Sequence, residues 1–327
     1  MPRLLRHPIV PLLVLSLLVV AAAAPPAARE RATRGRERPT AFLVGGDWGR
    51  YGEASQRGVA HAMARTADSI GVRFVISTGD NFYDSGVTSL DDRHWRESFE
   101  NVYDQPSLQV PWYVALGNHD HRGDPDVQVR YSKRSKRWRL PAQWYETTER
   151  LAGGGTMDVF VLDTNHGVLE YRDDKRHRHL RPTAWPEQMA WLDRELARSR
   201  ADWRVVVGHH PVRSYASHGP DPEVADVLRP ILERHGVALY LNGHEHVLQD
   251  VVTNGIHYVT SGAGSRTRKA GRGPDTRFVA GNTSGFAAVT VTRDTLALSF
   301  VDDNGHTLHA FRIGRGERRA APAGARP

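Results

Sequence analysis

Short apolar runs separated by helical patterns account for most of the chain. The runs Phe42–Val44, Phe74–Ile76, Trp112–Ala115, Val159–Leu162, Val205–Val207, Ala238–Leu241 and Tyr258–Thr260 are strand-like in length and in their β-branched and aromatic content. Between them Val59, Ala60, Met63, Ala67 and Ile70 recur at helical spacing, as do Met189, Leu192 and Leu196. A third helical pattern, Val224, Val227, Leu228, Ile231 and Leu232, contains Pro230, which predicts a kink or two pieces. Past residue 284 the pattern changes to alternation (FAAVTVT, LALSFVD, LHAFRI), with Asp303-Asn304-Gly305 as a hairpin turn. That stretch predicts an antiparallel meander completing a second sheet. Strands alternating with helices predict a layered α/β domain over 40–315, without internal repeat.

The ends read differently. Arg3, Arg6 and His7 precede an apolar stretch from Ile9 to Ala24 that runs into small residues and proline. This is the layout of a secretory signal over 1–28, and it predicts a periplasmic or extracellular protein without stable membrane association. A retained anchor is the competing reading, although Pro11 and Ser16 interrupt a run already short for spanning. Residues 29–39 read as a linker and 316–327 as a disordered tail, both rich in Arg, Ala and Pro.

Composition narrows the chemistry. There are no cysteines, so disulfides, thiolate catalysis and cysteine-type zinc sites are excluded. The formal charge is +7, but lysine stands only at 133, 136, 175 and 269, and the arginines are spread along the chain. No motif accompanies that charge, so no nucleic-acid partner is expected. A monomer is expected.

The strand-like runs end in short polar signatures. FLVGGDWG places Asp47 past the first run, FVISTGDNFY places Asp80 and Tyr83 past the second, and YVALGNHD places Asn118, His119 and Asp120 past the third. VVVGHHP brings His209 and His210, and LYLNGHEH brings His244 and His246. Open α/β sheets gather ligands at the carboxyl ends of their strands. A mixture of carboxylate, amide, phenol and imidazole donors there suits iron, zinc or manganese.

The series GDWG, GDNFY, GNHD, GHHP and GHEH resembles the calcineurin-like metallophosphoesterases, and Tyr83 three residues after Asp80 narrows the resemblance to purple acid phosphatases. YSKRSKRWRLPAQWY at 131–145, HGP at 218–220, LRPILERHGVALYLNGHEH at 228–246 and TSGAG at 260–264 resemble the tartrate-resistant type. The resemblance implies a four-layer sandwich: two mixed β-sheets packed face to face and flanked by helices. It implies Fe(III) held by Asp47, Tyr83 and His246, a divalent ion (Fe, Zn or Mn) held by Asn118, His209 and His244, and Asp80 bridging them. It further implies acid hydrolysis of phosphate monoesters, on small molecules or proteins, by a metal-bound hydroxide. Asn118, His119, His210 and His218 would contact substrate, with His119 and His218 catalytic and Asp120 orienting His119. Departures are His210 where tyrosine is usual and Glu245 where aspartate is usual. The stretch 122–150 corresponds to a loop that covers the site in relatives. The histidine-rich run RDDKRHRHLR at 172–181 reads as a solvated loop; the arginines of 266–277 follow TSGAG closely enough to meet an anionic substrate, and a plain flexible loop is the equal alternative reading. The rivals are a phosphodiesterase or nucleotidase with two divalent ions, and a phosphate- or metal-binding protein without turnover.

Overall fold

The structure, a computed structural model, describes residues 38–181 and 183–317. The signal, nearly all of the linker and all but the first two residues of the tail lie outside the described residues.

The apolar runs become strands in the expected order. The first four are β1 (Thr40–Gly45), β2 (Val72–Ser77), β3 (Trp112–Val114) and β4 (Trp138–Arg139). Next come β5 (Tyr145–Arg150), β6 (Thr156–Val161), β7 (Trp203–Val207) and β8 (Leu239–Asn242). They are followed by β9 (Leu248–Thr253), β10 (Ile256–Ser261) and β11 (Thr276–Ala280). The chain closes with β12 (Gly285–Val291), β13 (Thr295–Asp302) and β14 (Thr307–Gly314). Among the described residues these make two seven-stranded mixed sheets, ordered β14-β13-β12-β1-β2-β3-β4 and β11-β9-β10-β8-β7-β6-β5. The C-terminal meander completes the sheet that contains β1, because β12 pairs antiparallel with β1.

Alternation along the second sheet sorts its side chains between two cores. Val159, Val205, Val207, Leu239 and Leu241 join the core cluster that also holds the buried apolar residues of the first sheet, as two sheets packed face to face require. Phe160, Val206 and Tyr240 point the other way, onto helices α3 (Ala184–Arg198) and α4 (Pro222–Arg234). On the outer face of the first sheet lies α1 (Gln56–Ile70), which buries Val59, Ala60, Met63 and Ala67 and ends at Gly71 in the left-handed conformation. Helix α4 is one continuous element despite Pro230. The proline lies on the exposed face, so the carbonyl it leaves without an N–H faces solvent. The stretch 122–150 is not a single loop: most of it forms the short helix α2 (Pro125–Tyr131), β4 and β5.

Strand direction places the chemistry. β1, β2 and β3 run parallel, as do β6, β7 and β8, so their carboxyl ends lie along one edge of each sheet. Phe82, fully buried, packs against Trp48, Trp95 and Trp138 with ring centroids 4.9–5.8 Å away. Its burial anchors the loop after β2, and the next residue, Tyr83, is thereby turned toward the edge where the other signatures gather.

Candidate metal centre

The loops after β1, β2, β3, β7 and β8 bring together all seven residues expected to ligate metal. Asp47, Asp80 and His244 sit in the left-handed backbone region, with φ of 59°, 50° and 68°. Non-glycine residues there carry a cost of roughly 1–3 kcal/mol, which surrounding contacts must offset. Asp47 Oδ2 supplies one such contact by accepting the main-chain N–H of His244 at 3.1 Å. Two neighbouring glycines admit the approach: a Cβ at Gly117 would fall 2.2 Å from Asp80 Oδ1, and one at Gly243 would fall 2.4 Å from Asp47 Oδ2.

The donors divide into two sets around Asp80. On one side the Tyr83 hydroxyl lies 2.8 Å from Asp80 Oδ2, 2.9 Å from Asp47 Oδ1 and 3.1 Å from His246 Nε2. On the other, Asn118 Oδ1 lies 3.2 Å from both His209 Nε2 and His244 Nδ1, and His209 Nε2 is 3.5 Å from Asp80 Oδ1. Each oxygen of Asp80 therefore faces one set. Asp47, Asp80 and His209 each bring a ligand atom within 4.8 Å of the other two.

The electrostatics fit a pair of cations. Burial, with Asp47 and Asp80 alongside, pushes the Tyr83 phenol well above its ordinary value, so the neutral hydroxyl has one proton for two carboxylates. Burial opposes charge on Asp80, yet His209, His119 and the His119 N–H at 2.8 Å hold its carboxyl well below the usual range. Burial also opposes charge on His209, but Asp80 and Asp47 outweigh it and raise that histidine above its ordinary value. His209 Nδ1 faces the Thr78 carbonyl at 2.9 Å and so carries a hydrogen there, which aims Nε2 into the site. His244, by contrast, is held well below its ordinary value by burial and by His209. The centre favours positive charge that its own imidazoles cannot all carry, and its donor set is one that transition-metal ions accept.

The remaining expected residues surround this group. His119 lies beside it, with Nε2 3.9 Å from Asp80 Oδ2 and Nδ1 donating to the Asp84 carbonyl at 2.7 Å. Asp120 does not orient that ring. Its buried carboxylate accepts from Gly117 N, from Asn81 N and Nδ2, and from Gln128 Nε2, and so fastens the loop after β3 to the loop after β2. His218 lies beside His244, with ring centroids 4.8 Å apart and the planes tilted by 42°. His210 lines the cavity, but its nitrogens are not free for a substrate: Nδ1 lies 2.8 Å from Thr164 Oγ1 and Nε2 3.1 Å from the Tyr171 hydroxyl. Burial makes the imidazolium unfavourable there.

A cavity of about 470 Å³ opens over the centre. The sequence missed three residues of its wall. Tyr171, His177 and Arg122 line it, and His177 is buried and stacked on Tyr171 at 4.3 Å rather than held in a solvated loop. Arg268, from the arginine-rich stretch 266–277, lines it as well.

Comparisons with known proteins agree with this geometry. Residues 39–248 match the family described as calcineurin-like phosphoesterase. Purple acid phosphatase 4 of Arabidopsis thaliana is 37% identical over 286 residues, covering 83% of this chain and 82% of the relative. The human tartrate-resistant acid phosphatase type 5 is 37% identical over 304 residues, covering 86% and 92%. Among solved structures, the anchor in the inner membrane complex of Plasmodium superposes with a TM-score of 0.74 at 24% identity, covering 85% of this chain and 89% of that one. A purple acid phosphatase from yellow lupin seeds superposes at 0.62 and 17% identity, covering 86% and 54%. At those identities the superpositions speak for the fold.

Proposed function

The chain belongs to the purple acid phosphatases within the calcineurin-like phosphoesterase family, and from that premise we propose that it hydrolyses phosphate monoesters in acid at a dinuclear Fe(III)–M(II) centre. Asp47, Tyr83 and His246 would hold Fe(III). Asn118, His209 and His244 would hold the divalent ion, which is Fe, Zn or Mn. The observation that carries the reading is Asp80, whose two oxygens face the two donor sets, Tyr83 at 2.8 Å and His209 at 3.5 Å.

When bound, two such ions supply a clamp for the phosphoryl group and an activated water oxygen. The chain's own residues do the rest. The main-chain N–H of His119 fixes Asp80 from behind, and His119 Nε2 presents a lone pair to the cavity. Asn118, His119 and His218 line the cavity and would hold phosphate oxygens, with the two histidines assisting the leaving group. The substrate would be a phosphorylated small molecule or protein, met by a monomer outside the cytoplasm after loss of its leader. Among the described residues no helix is long and apolar enough to cross a membrane.

The deciding experiment records the visible spectrum, metal content and acid phosphomonoesterase activity of the mature protein and of Tyr83→Phe. A purple or pink band lost in the variant, with two metals per chain and turnover, supports the reading. A colourless protein with two divalent ions and better activity on diesters moves it elsewhere in the superfamily, and bound metal without turnover removes the catalytic assignment.

A further inference from the structure

Arg50 lies over the ring of Tyr83, with Cζ 3.6 Å from the ring centroid, and it is not among the residues that line the cavity. The loops after β1 and β2 bring the two together. The Gly49 carbonyl accepts the Tyr83 N–H at 2.8 Å, and a Cβ at Gly49 would fall 1.9 Å from the Asn81 carbonyl oxygen, so the approach needs glycine there. The main-chain N–H of Arg50 donates to Oε1 of the buried Gln56 at 2.9 Å. Its Nε donates to Ser265 Oγ at 3.2 Å, and that hydroxyl donates to the Asp47 carbonyl at 2.5 Å. The plane of the guanidinium is therefore set from the loop that carries Asp47.

An ion pair does not account for this placement. Asp84 Oδ1 is 3.3 Å from Arg50 Nη1, but the Asp84 side chain is 87% exposed and that of Arg50 only 11%. A carboxylate so well solvated makes a surface pair of little worth. The ring offers more, because a cation over an aromatic face is drawn to its π electrons, and more strongly where water is excluded. At the far end of the same ring the hydroxyl meets Asp47 Oδ1, Asp80 Oδ2 and His246 Nε2. A metal ion bound there would displace the phenol proton. The ring would then carry a full negative charge, with the Arg50 guanidinium already stacked on it.

We propose that Arg50 is a positioning residue acting through Tyr83: its guanidinium, seated on the ring face, draws charge off the phenolate and makes it a weaker donor to the ferric ion. The proposal goes beyond the phosphatase reading and rests on its assignment of Tyr83 as a ligand. The colour of a ferric phenolate arises when light moves an electron from the ring to the metal. The guanidinium stabilises the charged ring before that transfer and the neutral ring much less after it. Arg50 therefore raises the energy of the band. The charge stands over the ring itself, whereas the metal would lie past the hydroxyl, so the ligand feels it more than the metal does. A phenolate that gives up less charge also leaves the metal a stronger Lewis acid toward a phosphoryl oxygen.

The test records the visible band of the iron-loaded protein, its iron content and its kcat for wild type, Arg50→Met, Arg50→Lys and Asp84→Asn. Arg50→Met keeps most of the stem and removes the charge. Its band is expected at longer wavelength with iron content unchanged, and its kcat about tenfold lower. Arg50→Lys keeps a cation without the flat guanidinium and is expected to fall between. Asp84→Asn, which removes only the exposed pair, is expected to leave the band in place. A band unmoved or moved to shorter wavelength in Arg50→Met overturns the proposal whatever kcat does, and so does loss of iron, which would make Arg50 a support of the binding loops. An equal shift in Asp84→Asn overturns it as well, by assigning the effect to the ion pair. If Arg50→Met does not fold, Arg50→Lys decides: a shift to longer wavelength supports the proposal and the wild-type position overturns it. A wild-type protein with two metals and no visible band overturns the ferric assignment of Tyr83 and the proposal with it, a result distinct from a coloured protein whose band ignores Arg50.

Discussion

The Glu245 carboxylate holds His218 from two sides. Its Oε1 accepts the main-chain N–H of His218 at 2.6 Å and that of Gly219 at 2.7 Å, while Oε2 lies 3.3 Å from His218 Nδ1. Glu245 is fully buried between His244 and His246, so it ties the ligand-bearing loop after β8 to the loop that carries His218. Glu245→Ala leaves those N–H groups without an acceptor, at a cost of about 1–3 kcal/mol. We expect a lower melting temperature and a kcat/KM reduced about tenfold with both metals retained. Glu245→Asp, shorter by one methylene, is expected to fall between. Full activity in Glu245→Ala would show that His218 needs no such anchor.

Gly117 is a position where a methyl group has no room. Its Cβ would meet Asp80 Oδ1 at 2.2 Å and Asp80 N at 2.3 Å, and the second contact is with backbone that cannot swing aside. Gly117→Ala must displace Asp80, the residue common to both donor sets. The expected outcome is loss of at least one metal ion, measured by elemental analysis, with kcat down by about a hundredfold or more. Gly153→Ala is the comparison, since nothing lies within 4 Å of its Cβ. Its φ of 76° alone should cost about 1 kcal/mol without touching metal content.

The contrast between what the sequence disclosed and what it hid follows from chain distance. Asp47, Asp80, Asn118, His209 and His244 each come directly after an apolar run, so strand direction alone carries them to a common edge. Tyr83 was legible from its place three residues after Asp80, the spacing that narrows the resemblance. Arg122, Tyr171 and His177 follow no strand, and the run around His177 has the polarity of a solvated segment. Tyr171 and His177 reach the cavity because Val168 packs in the outer core and the rings of Tyr171 and His177 stack. That fold-back depends on tertiary packing, which local pattern does not encode. The roles expected of Asp120 and His210 failed for a related reason. Adjacency in sequence placed each beside a functional residue, whereas hydrogen bonds with Gln128 and Asn81 in one case, and Thr164 and Tyr171 in the other, had already claimed their polar atoms.

Tyr171→Phe probes one of those claims. The change removes the hydroxyl 3.1 Å from His210 Nε2 and keeps the ring on His177. One partly buried hydrogen bond is worth about 1 kcal/mol, which chemical denaturation should detect. The ring of His210 lies 4.6 Å from that of His244, so freeing its Nε2 places an unmet polar atom on the cavity wall. We expect KM to shift more than kcat. An effect confined to kcat, with KM unmoved, would instead connect Tyr171 to the chemical step.

Behind the metal centre, Asp163 joins two buried histidines, and this cluster gives the fold a defined acid dependence. His121 Nε2 lies 2.8 Å and His166 Nε2 3.5 Å from Asp163 Oδ2, and Asn165 donates to Oδ1 at 2.8 Å. Burial alone would raise the Asp163 carboxyl, but His121, His166 and Asn165 outweigh it and bring it from 3.8 down to about 2. A carboxyl lowered by folding stabilises the native state above its unfolded value and loses that contribution as pH falls through about 2. The depression corresponds to about 2 kcal/mol. Burial lowers His166 below its ordinary 6.5, which acts in the same direction. Its neutral form favours the fold above that pH and gives way as acid protonates it. Asp163→Asn is therefore expected to destabilise the metal-loaded protein by about 2 kcal/mol near neutrality, with the gap to wild type narrowing below about pH 4 and closing near pH 2. Denaturant titrations at several pH values measure this directly. A gap that stays constant down to pH 2 would mean that Asp163 acts through hydrogen bonds indifferent to its charge.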